Sequence, residues 1–330
     1  MDQDISDALL QTGHRMYRRL YPIVEPADPG HRLRPDSREL CCGLGLLSAS
    51  CCAALGGTEE QVSAAERAGA LLALLTKIDD EVIDGYSFHG GRSEPRKVLR
   101  CRTRSYLQPT LDSIRNAQPA DHQARCELAA EAGRAFRDLA VNTDRLTQLL
   151  SIISIGWDVQ VDAVAVLSAT PSSVRESELA DVTARISGSW LLMITMVGAL
   201  PVRQGLTPEE KEAFFTWGAW IQRADALADL EREIRDGFIS TIPGWMAART
   251  GESRYLKAVA EEDFPWIYRK VSQFHTVCLP PAGLLLDAGV RLARLGRVPE
   301  ILDWIHRFLL GRYVSHSRFI GERSAFLSGW

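Results

Sequence analysis

Asp225, Asp229 and Glu233 recur at four-residue intervals, and Asp79, Asp80 and Asp84 form a second acidic group about 145 residues upstream. Residues i, i+4 and i+8 share one face of a helix, so the downstream group stacks three like charges one turn apart. Each such pair opposes the helix by roughly 0.2–0.5 kcal/mol. Bound divalent cations would offset that repulsion. Two acid-bearing helices facing each other would hold several Mg2+ ions and, between them, a diphosphate.

Either group alone reads as a solvated helix face. The run Leu71, Leu72, Leu75, Ile78, however, predicts a deeply buried helix, which puts the acids at its end on a cavity rim. The segment starting at Asp80 imitates an EF-hand loop because Gly85 falls at position six. It fails because Val82 and Gly91 take positions that need oxygen ligands.

The elements that must position these acids are helical. Leu146, Leu149, Leu150, Ile153 and Trp157 repeat at helical spacing, and no run alternates as a strand would. Breakers at Pro22–Pro35, Gly56–Thr58, Gly85–Pro95, Gln118–Asp121, Thr170–Ser173, Pro201–Thr207, Pro243–Gly251, Pro280–Gly283 and Gly296–Pro299 predict ten to twelve helices. Thr207-Pro208-Glu209-Glu210 is a helix start with Thr as N-cap, Pro at N1 and Glu at N3. That helix is expected to run unbroken to about Asp236 and stop at Gly237. Gly43-Leu-Gly45 is a poor imitation of a nucleotide loop. The expectation is one all-α domain over residues 1–330, with residues 1–35 as an N-terminal segment.

The 330 residues carry a net charge of −4, which gives no electrostatic case for nucleic acid or an anionic membrane. The cysteines at 41, 42, 51, 52, 101, 126 and 278 include two adjacent pairs in apolar sequence, which suits reduced, buried thiols rather than a zinc site. The N-terminus lacks signal-peptide architecture, and apolar stretches such as Ser187–Pro201 fall short of the ~20 residues of a membrane span. A cytoplasmic location is the expectation.

Taken together, the two acidic groups resemble the metal motifs of class I terpene synthases in the isoprenoid synthase superfamily. Asp79-Asp80-Glu-Val-Ile-Asp84 looks like the aspartate-rich first motif. Asp225-xxx-Asp229-xxx-Glu233 has the spacing of the second, with Arg232 just before the final Glu; Asp229 stands where Ser or Thr is usual. Arg185, forty residues before Asp225 and next to Ile-Ser-Gly188-Ser189, resembles the family's diphosphate-contacting Arg. Arg312-Tyr313 resembles its late Arg-Tyr pair.

The resemblance implies a single α-helical bundle with a central cavity. It implies three Mg2+ ions on Asp79, Asp80, Asp84, Asp225, Asp229 and Glu233, and a diphosphate held by Arg185, Arg232, Arg312 and Tyr313. The cavity would be lined by Trp157, Gly188, Ser189, Trp190, Phe214, Trp217 and Trp304, with Trp220 nearby. Residues 314–330, with Arg318 and Arg323, would form a C-terminal lid. The activity implied is ionisation of an allylic prenyl diphosphate and cyclisation of the cation. Geranylgeranyl diphosphate is favoured over farnesyl diphosphate, because Gly45, Ser48, Ala49, Gly188, Ser189 and Gly198 would open a deep cavity. Homodimers are common in that family.

Asp80-Glu-Val-Ile-Asp84-Gly85 and Gln222 also resemble the head-to-head phytoene and squalene synthases, which keeps that reaction as an alternative. A non-catalytic helical binding protein leaves the two acid groups unexplained. A helical phosphohydrolase would use His and Asp ligands, and the seven histidines are not paired at helical spacing; a di-iron bundle needs Glu-x-x-His pairs, and there are none.

Overall fold

A computed structural model describes residues 2–28, 35–84, 95–202, 205–272, 280–281 and 283–316. Among them there are helices and turns but no strand. The first half is built from α1 (Asp2–Ala27), α2 (Pro35–Gly43), α3 (Gly45–Ala54), α4 (Glu59–Asp84), α5 (Arg96–Asn116), α6 (Ala124–Leu139) and α7 (Thr143–Leu167). The second half follows with α8 (Glu176–Ala199), α9 (Pro208–Ala228), α10 (Leu230–Arg235), α11 (Ile242–Ala248), α12 (Glu252–Ala260), α13 (Phe264–Ser272), α14 (Leu284–Leu292) and α15 (Val298–His316).

Helix α8 is the axis of the bundle. It packs most extensively against α9, then α7, α3 and α4. Leu191, Leu192, Met193, Ile194, Met196 and Val197 are all buried, so this helix is apolar on every side. Both α7 and α8 are long and apolar enough to cross a membrane, longer than the apolar runs of the sequence suggested. Most of the apolar window of α8 and just over half of that of α7 are buried inside the bundle.

Small residues let these backbones touch. A Cβ at Gly198 would collide with the Ser48 carbonyl, one at Gly45 with the Glu66 carbonyl, and one at Gly218 with the Gly188 backbone. The Ser48 hydroxyl donates to the Ile194 carbonyl across the same α3–α8 contact. The expectation that Gly45, Ser48, Gly188 and Gly198 open a deep cavity is thus reversed. They draw helix axes together and so lend no support of their own to a C20 substrate.

The N-terminal segment belongs to the core. Ile5, Leu9, Met16, Leu20 and Val24 recur on one buried face of α1, which continues through Pro22 and Pro26 to Ala27. Arg38 of α2 fastens its end by ion pairs to Glu25 and Asp28, each at 2.8 Å. The capping box at Thr207 forms as read: its hydroxyl accepts from Glu210 N–H while the Glu210 carboxylate accepts from Thr207 N–H. The helix it starts does not run unbroken, however. It stops at Ala228 and resumes at Leu230, with Asp229 at φ −106°, ψ 15°. Of the cysteines, 41, 42, 51, 52 and 126 are buried and Cys101 is exposed, none of them in a disulfide among the described residues; Cys278 lies outside the described residues.

Candidate active site

The last turns of α4 carry Lys77, Asp79, Asp80 and Glu81. Lys77 Nζ lies 2.7 Å from Asp80 Oδ2 and 3.0 Å from Glu81 Oε1. Gln160 of α7 donates to Asp80 Oδ1 at 2.7 Å. Asp80 is therefore held from two helices, with both oxygens engaged.

The second group straddles the break between α9 and α10. Asp229 N–H still bonds the Asp225 carbonyl and Glu233 N–H the Asp229 carbonyl, each at 2.9 Å, so the acids keep their one-turn spacing through the kink. Arg232 ties the two groups together. Its guanidinium lies 2.8 Å from Asp229, 3.8 Å from Glu81 and 3.9 Å from Asp236. Acids separated by about 145 residues in the chain thus meet at one mouth.

The mouth is short of positive charge. Burial, and next the Asp229 carboxylate, push the Asp225 carboxyl up to about 6, against the pull of Lys77 and Arg232. Burial and then Asp225 raise Glu233 well above the ordinary carboxylate range. Burial also raises Asp236, with Arg232 opposing and Glu81 and Asp229 adding to it. Burial pulls Arg232 down, but Asp229, Glu81 and Asp225 outweigh it and hold the guanidinium charged. Glu233 Oε2 is buried without a hydrogen-bond partner among the described residues. These hard oxygens, crowded and under-neutralised, suit divalent cations of the Mg2+ type. No three acid, His or Cys side chains among the described residues close on one point, so an ion here would need water or ligand oxygens to complete its coordination.

Asp79 departs from expectation. It is 2% exposed and turned toward α5 and α6, where Arg125 Nη1 sits 3.3 Å from its Oδ1. Arg125 is itself fixed by Thr110 Oγ1 at 2.9 Å, Gln123 at 2.7 Å and the Tyr106 ring. This assigns Asp79 to an internal ion pair rather than to the acid mouth. Asp84 ends α4, but its side chain lies outside the described residues, as do those of Arg312 and Tyr313 on α15 and the whole of residues 317–330 with Arg318 and Arg323. Arg185 pairs with Asp181, one turn back on α8, at 2.6 Å.

A cavity of about 30 Å3 borders Asp80. Thr76, Asp79, Gln160, Trp157, Ser189, Trp190 and Met193 are among its walls, so three of the expected lining residues, Trp157, Ser189 and Trp190, are brought together there. The others are not on that wall. Gly188 sits in the α8–α9 crossing against Phe215, and Phe214 is fully buried. Trp217 meets His306 edge-on, and Trp304 stacks on Phe308. Trp220 carries Arg223 over its ring. Lys77, Glu81, Gln160 and Arg125 were not anticipated. Lys77 had a signal, since residues three and four ahead of it are acidic. Gln160 had none, because its reach to α4 exists only in the folded bundle.

No protein-family model matches this sequence, and no curated protein is significantly similar to it. Solved structures are similar. A geranylgeranyl pyrophosphate synthase superposes with TM-score 0.53 at 13% identity, covering 95% of this chain and 98% of the other. A polyprenyl synthase from Caulobacter crescentus CB15, solved with calcium and isoprenyl diphosphate, gives 0.56 at 14% identity, over 93% and 98%. A decaprenyl diphosphate synthase from Rhodobacter capsulatus gives 0.52 at 14% identity, over 91% and 99%. The fold is the all-α isoprenoid synthase fold. At these identities the likeness carries the architecture. In this chain Arg232 lies between Asp229 and Glu81, and a cavity walled by Trp157 and Trp190 borders Asp80.

Proposed function

We propose that the protein is a divalent-metal-dependent class I terpene cyclase that ionises an allylic prenyl diphosphate and cyclises the cation. The observation that carries this reading is the meeting of the two acid groups through Arg232, beside a cavity walled by Trp157 and Trp190. Asp80, Asp225, Asp229 and Glu233 would hold Mg2+, with Asp84 added by its place in the first motif. Bound Mg2+ supplies Lewis acidity toward the leaving diphosphate.

The chain's own groups do the rest. Arg232 and Lys77 neutralise the mouth and offer charge-assisted hydrogen bonds to diphosphate oxygens. Arg185, Arg312 and Tyr313 take the same role by resemblance. The faces of Trp157 and Trp190 stabilise a cation by about 0.5–2 kcal/mol each. The cavity is too small for a prenyl chain as it stands, so its apolar walls, Ile83, Leu107 and Met193, must move apart on binding.

Chain coupling is the second reading. It is supported by the similar structures, whose descriptions name prenyl-chain synthases, and by Gln222 ahead of Asp225. The test is incubation with geranyl, farnesyl and geranylgeranyl diphosphates, with and without Mg2+ and isopentenyl diphosphate. A cyclic terpene from one allylic substrate alone is the expected result. A longer prenyl diphosphate, or a C30 or C40 linear product, means coupling. Asp80→Asn and Asp229→Asn should each abolish turnover with helicity intact; full activity in both would refute the metal assignment.

A further inference from the structure

Four polar atoms around the cavity beside Asp80 have no hydrogen-bond partner among the described residues: Asp79 Oδ2, Ser189 Oγ, Trp157 Nε1 and Trp190 Nε1. All four residues line that one cavity. Asp79, Ser189 and Trp157 are 2%, 3% and 5% exposed, so bulk solvent does not satisfy them. Such atoms are uncommon in native interiors and call for an occupant.

The occupant follows from the chemistry of the set. Two indole N–H groups only donate, a carboxylate oxygen only accepts, and a hydroxyl does both. A molecule that accepts twice and donates twice fits, and water is the smallest. The cavity volume of about 30 Å3 matches roughly two waters at about 10–15 Å3 each. Ile83, Leu107 and Met193 add apolar wall, while Thr76, Asp80 and Gln160 add further polar wall.

We infer that this cavity holds ordered water that stays when the prenyl chain enters, so that the carbocation is captured as an alcohol. The inference rests on the ionisation proposed above. A hydrocarbon chain that expelled the water would leave four buried polar groups dry, each costing about tenfold or more in the binding constant. Retaining water against Ser189 and Asp79 avoids that loss. In the capture step the water oxygen forms a C–O bond to the cation and loses one O–H bond. The proton passes to the pyrophosphate freed by ionisation. No electron enters or leaves, and the net change is diphosphate exchanged for hydroxyl. Ser189 and Trp157 are positioning residues for that water.

The full-length protein with Mg2+ and its allylic diphosphate is run in 18O-enriched water, beside enzyme-free and Mg2+-free controls. An 18O-labelled alcohol absent from both controls is expected as the main product. Ser189→Ala, which removes the hydroxyl with little change of shape, and Trp157→Phe, which removes the indole N–H together with one ring, should each lower the alcohol-to-hydrocarbon ratio at least tenfold. Unlabelled hydrocarbon as the sole product of the parent, or an unchanged ratio in both variants, overturns the inference. A high-resolution crystal structure tests the site without turnover: water between Ser189 Oγ and Asp79 Oδ2 supports it, and a dry cavity defeats it. Absence of turnover with every allylic diphosphate counts instead against the cyclase reading.

Discussion

Substituting Asp79 and Arg125 separates a structural carboxylate from the neighbour proposed to hold metal. The pair lies almost wholly inside the bundle, at 3.3 Å. Removing one partner of a buried pair costs about 3–5 kcal/mol, because the other charge is left uncompensated. Arg125→Met should fall in that range, since Arg125 is the cation paired with Asp79 among the described residues. Asp79→Leu should cost less, since Arg125 keeps Thr110, Gln123 and the Tyr106 ring. The double variant should come back close to the parent. Burial pushes the Asp79 carboxyl up to about 6 in spite of Arg125, so the pair does not fully recover its desolvation cost. A carboxyl raised in the folded state gives most stability below its unfolded value of 3.8 and loses it as pH rises through 6. At pH 8 an apolar pair of similar volume therefore gives up little.

The assay is urea denaturation of the parent, both single variants and the double variant at pH 8, closed as a thermodynamic cycle. With the double variant near the parent, the coupling is the sum of the two single losses, about 3–5 kcal/mol or more. Additive single variants would refute the pair. Its functional arm uses Asp79→Asn, which keeps the shape. The Mg2+ concentration for half-maximal turnover should be unchanged, whereas Asp80→Asn abolishes turnover. A folded Asp79→Asn protein needing tenfold more Mg2+ would return Asp79 to the metal set.

Burial takes the His306 imidazole down to about 4 from 6.5, so its contribution to stability is complete above pH 6.5 and lost as pH falls through 4. That share is about 3 kcal/mol at most; His306→Phe should flatten the stability profile between those values, and a profile parallel to the parent's would defeat this. Gly218→Ala presses a methyl against the Gly188 backbone, where no side chain can yield, and should cost about 3 kcal/mol by denaturation; a loss below about 0.5 kcal/mol would show the crossing relaxes. Lys77→Met removes the internal cation that competes for Asp80, so half-saturating Mg2+ should fall about fivefold, the equivalent of about 1 kcal/mol; no change, or a rise, would argue against competition. Glu233→Gln should raise stability above neutral pH, where the buried carboxylate is costly, with the gain fading toward pH 4 as Glu protonates in both states. The same variant should lose turnover, and a protein less stable at pH 8 would contradict the picture of a crowded mouth.

The helical architecture was legible because hydrophobic period and breakers are local signals. The capping box at Thr207 forms where its residues stand, and Leu71 to Ile78 are buried as their spacing implied. The break at Asp229 was not legible, because Ala-Leu-Ala-Asp-Leu-Glu is a sound helical sequence and the interruption belongs to three stacked acids and their partners across the mouth. Pro22 misled in the other direction, since burial of the α1 face and the Arg38 clamp outweigh the lost hydrogen bond. Small residues misled about the cavity, because a glycine on an apolar helix marks either a void or a close approach, and only the facing backbone decides. Asp79 and Asp80 are adjacent and chemically alike. They point about 100° apart around the helix, and which of them meets Arg125 depends on α6.

The acid mouth and the tight glycine crossings are two sides of one arrangement. Asp80, Glu81, Asp225, Asp229, Glu233 and Asp236 gather where Lys77 and Arg232 are the cations in contact, and the raised carboxyls of Asp225, Glu233 and Asp236 show that two cations are too few. Left to itself such a cluster pushes α4 and the α9–α10 kink apart. What resists is the axis helix α8, which touches both α4 and α9 and is drawn onto α9 at the Gly188–Gly218 contact. The repulsion is therefore stored at the mouth rather than relieved by movement of the helices. A site built this way has most to gain from external cations, since each one bound relieves repulsion already present in the folded chain.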